Sequence, residues 1–137
     1  MKTSVVICEF NPIHLGHKYI LSKARESAGD DGCVIAVMSG NFCERCTPAV
    51  YDKYTRAHSA VLCGADIVLE LPFPWCSSGV EDFALGGVYI AASLGADTLT
   101  FGSESGNAEM IKKCADIKSS EEFIKALREL ESRERQT

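Results

Sequence analysis

The stretch SVVICEFNPIHLGH, residues 4–17, joins an apolar run to the beginning of a helical pattern through a short turn. Its first part, residues 4–10, is almost continuously apolar or β-branched, which is typical of a strand covered on both faces of a sheet. From His17 onward, apolar side chains recur on one helical face as far as Ala28, and Gly29 follows them. The stretch therefore predicts a buried strand that turns directly into a helix, the opening unit of an α/β fold.

Three further apolar runs follow, and helical patterns separate them. The runs are residues 33–38, 67–71 and 98–101. Ser78 with Glu81, and Ser119 with Glu122, match the capping-box pattern and predict the starts of two later helices. The alternation of strands and helices predicts a parallel sheet with helices on both faces. In such a sheet, ligands bind beyond the carboxyl ends of the strands, where the strand order reverses.

The composition is that of one globular domain outside a membrane. The 137 residues are enough for a single core, and no apolar run is long enough to span a bilayer. The first residues lack the charged and apolar regions of a secretory signal, so we expect a cytoplasmic protein. The net charge of −5 provides no general attraction to nucleic acid, so an RNA contact would need a local basic patch or another segment.

The cysteines favour free thiols over a disulfide framework. Seven occur at irregular spacing, several of them inside apolar runs, and this pattern fits a reducing compartment. Cys43 and Cys46 form a C-x-x-C pair, which also occurs in redox motifs and in half of a zinc site. Because no second such pair follows, we interpret both as ordinary loop cysteines and assign no metal to them.

The turn after the first run carries two histidines, His14 and His17, on either side of Gly16. Gly16 lets the backbone approach a ligand closely, and the free N–H groups of the helix start favour an anion. Imidazole N–H groups at this place can stabilise charge that develops on an α-phosphate. The turn predicts adenylation chemistry, which depends on positioning and charge stabilisation, usually with Mg²⁺.

Two other interpretations of the histidine pair stay open. Both residues can be ordinary histidines near a helix start, or they can bind zinc. The pair makes a poor zinc signature, because it straddles a turn and has no third ligand at a fixed spacing.

Polar residues follow the second run, where its strand ends. Ser39 and Asn41 offer hydrogen bonds to a ribose or a phosphate, and Gly40 with Asn41 suits a tight turn with positive φ. Arg45 is placed to reach a phosphate. Lys53 and Arg56 follow on the next helix, where they either join the phosphate site or form a solvated basic face.

A glycine and two polar residues follow the fourth run, beside the expected switch point. They are Gly102, Ser103 and Glu104. Their position favours contact with a nucleotide or an acyl substrate, although a turn that caps a helix would have the same composition.

Four blocks of the sequence resemble one known family. The segment EFNPIHLGH, residues 9–17, contains the HxGH signature of the nucleotidyltransferase superfamily, and at full length it is similar to the opening of the tRNA(Met) cytidine acetate ligase family. The other blocks are MSGNF, GADIVLELP and FGSE, at residues 38–42, 64–72 and 101–104. Together they extend over roughly residues 3–106, so the resemblance is specific to this family.

The resemblance implies a Rossmann-like parallel sheet of the HxGH nucleotidyltransferase type. It implies that acetate is activated by ATP to acetyl-adenylate, and that the acetyl group passes to N4 of the wobble cytidine of elongator tRNA(Met). His14 and His17 are then the catalytic residues, with ATP and Mg²⁺ as cofactors. The ATP-binding residues are Glu9, Asn11, Gly16, Ser39, Gly40, Asn41, Arg45, Lys53, Gly102, Ser103 and Glu104.

Two features expected of the superfamily have no counterpart in this sequence. A fifth strand and a second phosphate-binding motif are not recognisable after Phe101, where two amphipathic helices and a charged tail follow. We therefore expect a partial ATP-binding domain at residues 1–118 and a C-terminal helix with its tail at 119–137. Binding of tRNA(Met) would then require a C-terminal portion supplied from elsewhere.

Two alternative functions follow from these missing features. The first is a non-catalytic nucleotide-binding or interaction module, whose open site a homodimer could complete. The second is a small-molecule adenylyltransferase, which the ligase-like blocks disfavour.

Overall fold

The computed structural model describes residues 1–134 and contains alternating strands and helices. The strands are β1 (Thr3–Cys8), β2 (Cys33–Ser39), β3 (Ile67–Leu71) and β4 (Thr98–Leu99). The α-helices are α1 (Leu15–Ala28), α2 (Lys53–Leu62), α3 (Val80–Ser93), α4 (Ala108–Lys118) and α5 (Glu121–Glu134). Two short 3₁₀ turns, Glu44–Cys46 and Trp75–Ser77, follow β2 and β3. No helix in this part of the chain is long and apolar enough to cross a membrane.

All four strands are parallel and lie in the order β3-β2-β1-β4, which confirms the predicted α/β sheet. The chain moves from β1 outward through β2 to β3, and then crosses back to place β4 on the other side of β1. The strand order therefore reverses between β1 and β4, and this is the switch point of the sheet. Residues 1–134 add no fifth strand to it.

The sheet buries both of its faces, as the continuous apolar runs predict. On one face, Val6, Val34 and Met38 pack with residues of α1 and α2. On the other face, Val5 and Val37 pack with residues that include Leu71, Cys76 and Ala91. Burying a side chain of this size contributes about 1.5–3 kcal/mol, so the two layers together hold the strand ends in fixed positions.

Two predicted strands end earlier than expected. The first was expected to reach residue 10 and ends at Cys8, because Phe10 has a left-handed backbone with φ of 49°. Residues in this conformation cannot continue a strand. The fourth was expected over residues 98–101 and is limited to Thr98–Leu99.

Both predicted capping boxes are wrong, while the predicted end of α1 at Gly29 is confirmed. Gly79, and not Ser78, is the N-cap of α3, and the Ser78 hydroxyl donates to the Pro74 carbonyl at 2.9 Å. Ser119 belongs to the end of α4, and its hydroxyl donates to Ala115. Ser120 caps α5 instead, accepting the Phe123 N–H at 3.2 Å.

The chain divides into two compact units, Met1–Phe101 and Gly102–Thr137. The first contains the whole sheet and α1 to α3, and the second contains α4 and α5. The boundary expected after residue 118 stays a prediction. The last residues of the predicted charged tail, 135–137, lie outside the described part of the chain.

Helix α3 approaches β1 at Gly87. A Cβ atom at this position would lie 2.6 Å from Ile7 Cδ1 and 2.7 Å from Ile7 Cγ2. On an exposed helix, changing Gly to Ala stabilises by about 1 kcal/mol. Here we expect Gly87→Ala to lower the free energy of unfolding by about 1 kcal/mol, because overpacking costs about 1–3 kcal/mol. Urea denaturation measures this free energy of unfolding. Ser93→Ala, at an exposed position of α3, is the control, and a stabilised Gly87→Ala variant would contradict the packing.

Candidate functional site

The two histidines cap helix α1 reciprocally. His14 is the N-cap residue, and its Nδ1 accepts the Gly16 N–H at 3.1 Å. His17 Nδ1 accepts the His14 N–H at 3.3 Å. The two rings are stacked, with their centroids 3.8 Å apart and their planes 29° from parallel. The sequence H-x-G-H therefore has a structural role in this turn as well as a chemical one, since it satisfies N–H groups that a helix start leaves unpaired.

The cap bonds decide which ring nitrogen carries the proton. Because Nδ1 of each neutral imidazole acts as an acceptor, the proton must be on Nε2. His14 is exposed and His17 is half-buried. The pair therefore offers two Nε2–H donors at the start of a helix, where the backbone already favours negative charge. Gly16 is exposed, and a Cβ atom there would come within 2.9 Å of His14 Cε1, so a larger residue would displace the ring.

Phe10 supports the histidine pair from beneath. Its side chain is 1% exposed, and its ring meets the His17 ring edge-on, with centroids 5.0 Å apart and an interplanar angle of 81°. The left-handed backbone of Phe10 turns the chain away from β1. No sequence pattern indicates this role, because Phe10 is predicted there as the last residue of an apolar strand.

Burial lowers the pKa of His17, and the neighbouring charge of His14 lowers it further. Both effects disfavour the imidazolium form. His17 is therefore neutral at pH 7, in the state in which its Nδ1 accepts the cap bond and its Nε2–H remains a donor.

Arg56 on α2 is buried, with 2% of its surface exposed. Its Nη1 donates to the Glu9 carbonyl at 2.5 Å, and its Nη2 donates to the carbonyls of Ser39, at 3.1 Å, and Gly40. Its Nε donates to the Tyr51 carbonyl at 3.0 Å. The interpretation of Arg56 as part of a solvated basic face is therefore wrong. The guanidinium ties the ends of β1 and β2 to the start of α2.

No carboxylate forms an ion pair with Arg56 within residues 1–134. Its charge is stabilised by backbone carbonyls and by the Ser39 hydroxyl, whose Oγ lies 3.4 Å from Nη1. Such dipoles offset the desolvation of a buried cation without neutralising it. The positive charge is thus held directly behind the strand ends at which an anionic ligand is expected.

Three of the predicted ATP-binding residues use a side-chain oxygen to hold neighbouring loops. Glu9 Oε1 accepts the Glu44 N–H at 2.6 Å. Asn11 Oδ1 accepts the Val50 N–H at 2.7 Å, and Asn41 Oδ1 accepts the Lys53 N–H at 2.9 Å. These bonds draw the segment between β2 and α2 against the end of β1. Their direct contacts to ATP stay predictions.

Ser39 and Gly40 lie in the interior at the end of β2. Ser39 is fully buried, and its Oγ lies 3.4 Å from Cys43 Sγ. The expected positive φ at Gly40 and Asn41 is not present. Gly40 lies against the Glu70 side chain instead, and a Cβ atom at this position would require the Glu70 carboxylate to move.

The left-handed residues of this loop are Arg45 and Cys46, each with φ of 59°. Arg45 has an exposed side chain that pairs with Glu44 at 3.1 Å. Lys53 Nζ pairs with Glu70 Oε2 at 2.6 Å. This ion pair raises the pKa of Lys53, which is therefore a cation at neutral pH.

Gly102, Ser103 and Glu104 open the second unit of the chain and are exposed. The Ser103 and Ser105 hydroxyl oxygens are 3.0 Å apart. The roles of these residues in nucleotide binding stay predictions.

Cys43 and Cys46 are both free thiols. Cys43 is buried, and Cys46 Sγ donates to the Ser77 carbonyl at 3.5 Å. Within residues 1–134, no group of three or more His, Cys, Asp or Glu side chains is arranged to hold a metal ion.

A cavity of 480 Å³ lies at the carboxyl ends of β2 and β3. This volume is in the range of small-molecule sites. Its lining residues are Gly40, Asn41, Phe42, Cys46, Glu70, Phe73, Cys76 and Ser77. The sequence indicated polar contacts after β2, but not that the loops after β2 and β3 line one space.

A model of the HIGH nucleotidyl transferase family matches residues 1–135. The tRNA(Met) cytidine acetate ligase of Syntrophotalea carbinolica is 44% identical over 117 residues, which are 85% of this chain and 28% of the relative. That of Caldicellulosiruptor saccharolyticus is 46% identical over 115 residues, 84% of this chain and 28% of the relative.

Among solved structures, Thermotoga maritima TmcAL bound with alpha-thio ATP has a TM-score of 0.82 and 44% identity. The match covers 94% of this chain and 32% of that chain. The chain thus spans less than a third of the length of each of these proteins.

We expect the pKa of His17 to lie below its ordinary value of 6.5. Stability from this group is then present above pH 6.5 and is lost as the pH falls through the folded-state pKa, because the unfolded chain binds the proton first. NMR titration of the ring resonances, beside the same chain in denaturant, measures the shift. His14→Gln should raise the pKa of His17, since it removes the neighbouring charge. A His17 pKa at or above the denatured value would contradict the geometry.

Proposed function

The chain belongs to the HIGH nucleotidyl transferase family, and from this premise we propose that it is the ATP-binding part of a ligase that adenylates acetate for transfer to tRNA(Met). The resemblance to tRNA(Met) cytidine acetate ligases is confirmed, over 28% of the length of the first relatives. The observation that carries the proposal is the stacked pair His14 and His17, with both Nδ1 atoms engaged in the helix cap. That arrangement supports a site for the α-phosphate of ATP.

In the first proposed step, an acetate oxygen attacks the α-phosphorus of ATP. The bond from that phosphorus to the α,β-bridging oxygen breaks, and pyrophosphate leaves with the electron pair. Negative charge grows on the oxygens around the α-phosphorus, where the Nε2–H donors of His14 and His17 stabilise it. No proton has to move to or from the protein, which suits two imidazoles that act only as donors.

In the second proposed step, the cytidine N4 amine attacks the acetyl carbonyl of acetyl-adenylate. The carbonyl carbon forms a bond to nitrogen, its bond to the phosphate oxygen breaks, AMP leaves, and N4 loses a proton. Support for this acceptor is the name of the relatives, tRNA(Met) cytidine acetate ligase. Support for ATP is that Thermotoga maritima TmcAL was solved bound with alpha-thio ATP.

Mg²⁺ enters this proposal with the nucleotide. Protein-bound Mg²⁺ keeps several waters and is held by substrate phosphates with one or two carboxylates. Residues 1–134 contain no ready cluster of three such ligands, so we assign no residue of this chain to the ion. It would supply neutralisation of the phosphate charges.

The other residues predicted to bind ATP are proposed to act in three different ways. Glu9, Asn11 and Asn41 shape the loops around the turn through the bonds described above. Lys53 and Arg45 contribute positive charge near the phosphates, Lys53 being oriented by Glu70. Gly102, Ser103 and Glu104 are proposed to contact the nucleotide or the acetyl group.

Beyond ATP and acetate, the partner is tRNA(Met), with much of its contact surface on a further portion of such a ligase. We also propose a cytoplasmic location. A homodimer stays a prediction. The alternative of a non-catalytic nucleotide-binding module is favoured by one observation, that residues 1–134 hold a four-stranded sheet with only a two-residue edge strand at β4.

We expect ATP with Mg²⁺ to bind through the imidazoles. In the double variant His14→Ser, His17→Ala, the serine keeps an N-cap acceptor, while both imidazole Nε2–H donors are removed. Calorimetric titration should show at least about a tenfold weaker affinity for this variant, because charge-assisted hydrogen bonds contribute about 1.5–3 kcal/mol each. His58→Ala, at an exposed position of α2, is the control. Equal affinity in a double variant that remains folded would refute the phosphate site.

If ATP binds as expected, acetate-dependent release of pyrophosphate distinguishes the remaining functions. Release by this chain supports a ligase, whereas ATP binding without release supports the non-catalytic module.

A further inference from the structure

The 480 Å³ cavity lies away from the switch point of the sheet. Its residues come from the ends of β2 and β3 and the loops that follow them, whereas the strand order reverses between β1 and β4. A nucleotide in a sheet of this kind occupies the switch-point crevice. With ATP there, the cavity on the β2 side of β1 is available to a second substrate.

Two exposed aromatic side chains line the cavity. Phe42 is 55% exposed and Phe73 is 79% exposed, although phenylalanine is usually buried. They come from different loops, one after β2 and one after β3. Single-stranded RNA is recognised through unstacked bases that stack on such rings. The two phenylalanines therefore favour a planar, aromatic ligand over a small anion such as acetate.

The polar groups of the cavity select among bases. Glu70 is held by Lys53 through Oε2, while its Oε1 lies against Gly40. A carboxylate accepts from an exocyclic amino group and repels a carbonyl oxygen, so it favours cytosine over uracil. Asn41 uses its Oδ1 for the Lys53 N–H, which leaves its side-chain NH₂ as a donor to acceptors on the base edge.

We propose that this cavity binds the cytosine base of the acceptor RNA, stacked on Phe42 and Phe73, with its N4 amino group donating to Glu70. The proposal rests on the proposed function, which supplies an RNA cytidine as acceptor. It adds the place of that base and the residue that selects it. Acetate is a poor occupant, because the space is far larger than two carbons require and two phenyl rings line it.

The test is an NMR titration of the isotope-labelled chain with two RNA pentanucleotides, UUCUU and UUUUU. We expect UUCUU to bind about tenfold more tightly, since one well-made base contact discriminates by a factor of this order. Shifts should centre on the amides of Glu70 and Phe73. Equal affinity for the two RNAs, or binding of neither, would overturn the proposal.

Two variants test the named side chains. Glu70→Gln should bring the two affinities within about twofold, because a glutamine amide can also donate to uracil. Phe73→Leu should weaken both RNAs about tenfold through loss of stacking. Glu26→Gln, which breaks the exposed Lys23–Glu26 pair on α1, and Tyr89→Leu, at an exposed site on α3, should leave both affinities unchanged. Retained selectivity in Glu70→Gln would contradict the assignment.

Addition of ATP with Mg²⁺ separates this proposal from the proposed function. UUCUU should stay bound when ATP is added, and its displacement would mean that the cavity holds the adenine ring. The double variant His14→Ser, His17→Ala should bind ATP at least about tenfold more weakly but keep selectivity for UUCUU. If that variant binds ATP with unchanged affinity, the proposed function fails while the cytosine result stands. If wild-type RNA selectivity is absent while ATP binding is normal, only the cytosine site fails.

Discussion

A buried positive charge organises the strand ends at which the candidate site is built. The Arg56 guanidinium is almost without solvent contact and donates to the carbonyls of Glu9, Ser39 and Gly40. Moving a cation out of water without acceptors costs several kcal/mol, so the folded chain must bring these carbonyls together around it. The separation of the β1 and β2 ends is therefore fixed by a residue of α2.

The chemistry of the histidine turn depends on that arrangement. Glu9 is held at its carbonyl by Arg56, and the next residue, Phe10, turns the chain with a left-handed backbone and buries its ring under His17. The cap bonds then occupy Nδ1 of both histidines. Burial keeps His17 neutral by lowering its pKa. The outcome is a pair of Nε2–H donors, which suits stabilisation of phosphate charge better than proton transfer.

Much of the fold is readable in the sequence, because continuous apolar runs and helical spacing report burial directly. The histidine turn is readable as well, since Gly16 and the two imidazoles have few other uses after a buried strand. The role of Arg56 cannot be read from the sequence, because helical spacing alone does not distinguish a solvated arginine from one that donates to carbonyls distant in the chain. The capping boxes were predicted wrongly for a similar reason. A serine hydroxyl can bond to a nearby carbonyl instead of a helix N–H, as the Ser78 hydroxyl does with Pro74. The cavity could not be predicted either, because its lining comes from the loops after β2 and β3, which only the folded sheet brings together.

The most direct test of the role of Arg56 at the strand ends is the free energy of unfolding of Arg56→Met, measured by urea denaturation beside the wild-type chain. Methionine is a similarly long, flexible side chain but leaves three strand-end carbonyls without their donor. Because each buried acceptor left unpaired costs about 1–3 kcal/mol, we predict a loss of at least about 3 kcal/mol. A change within about 0.5 kcal/mol, as for an ordinary surface substitution, would contradict the claim that Arg56 holds the strand ends together.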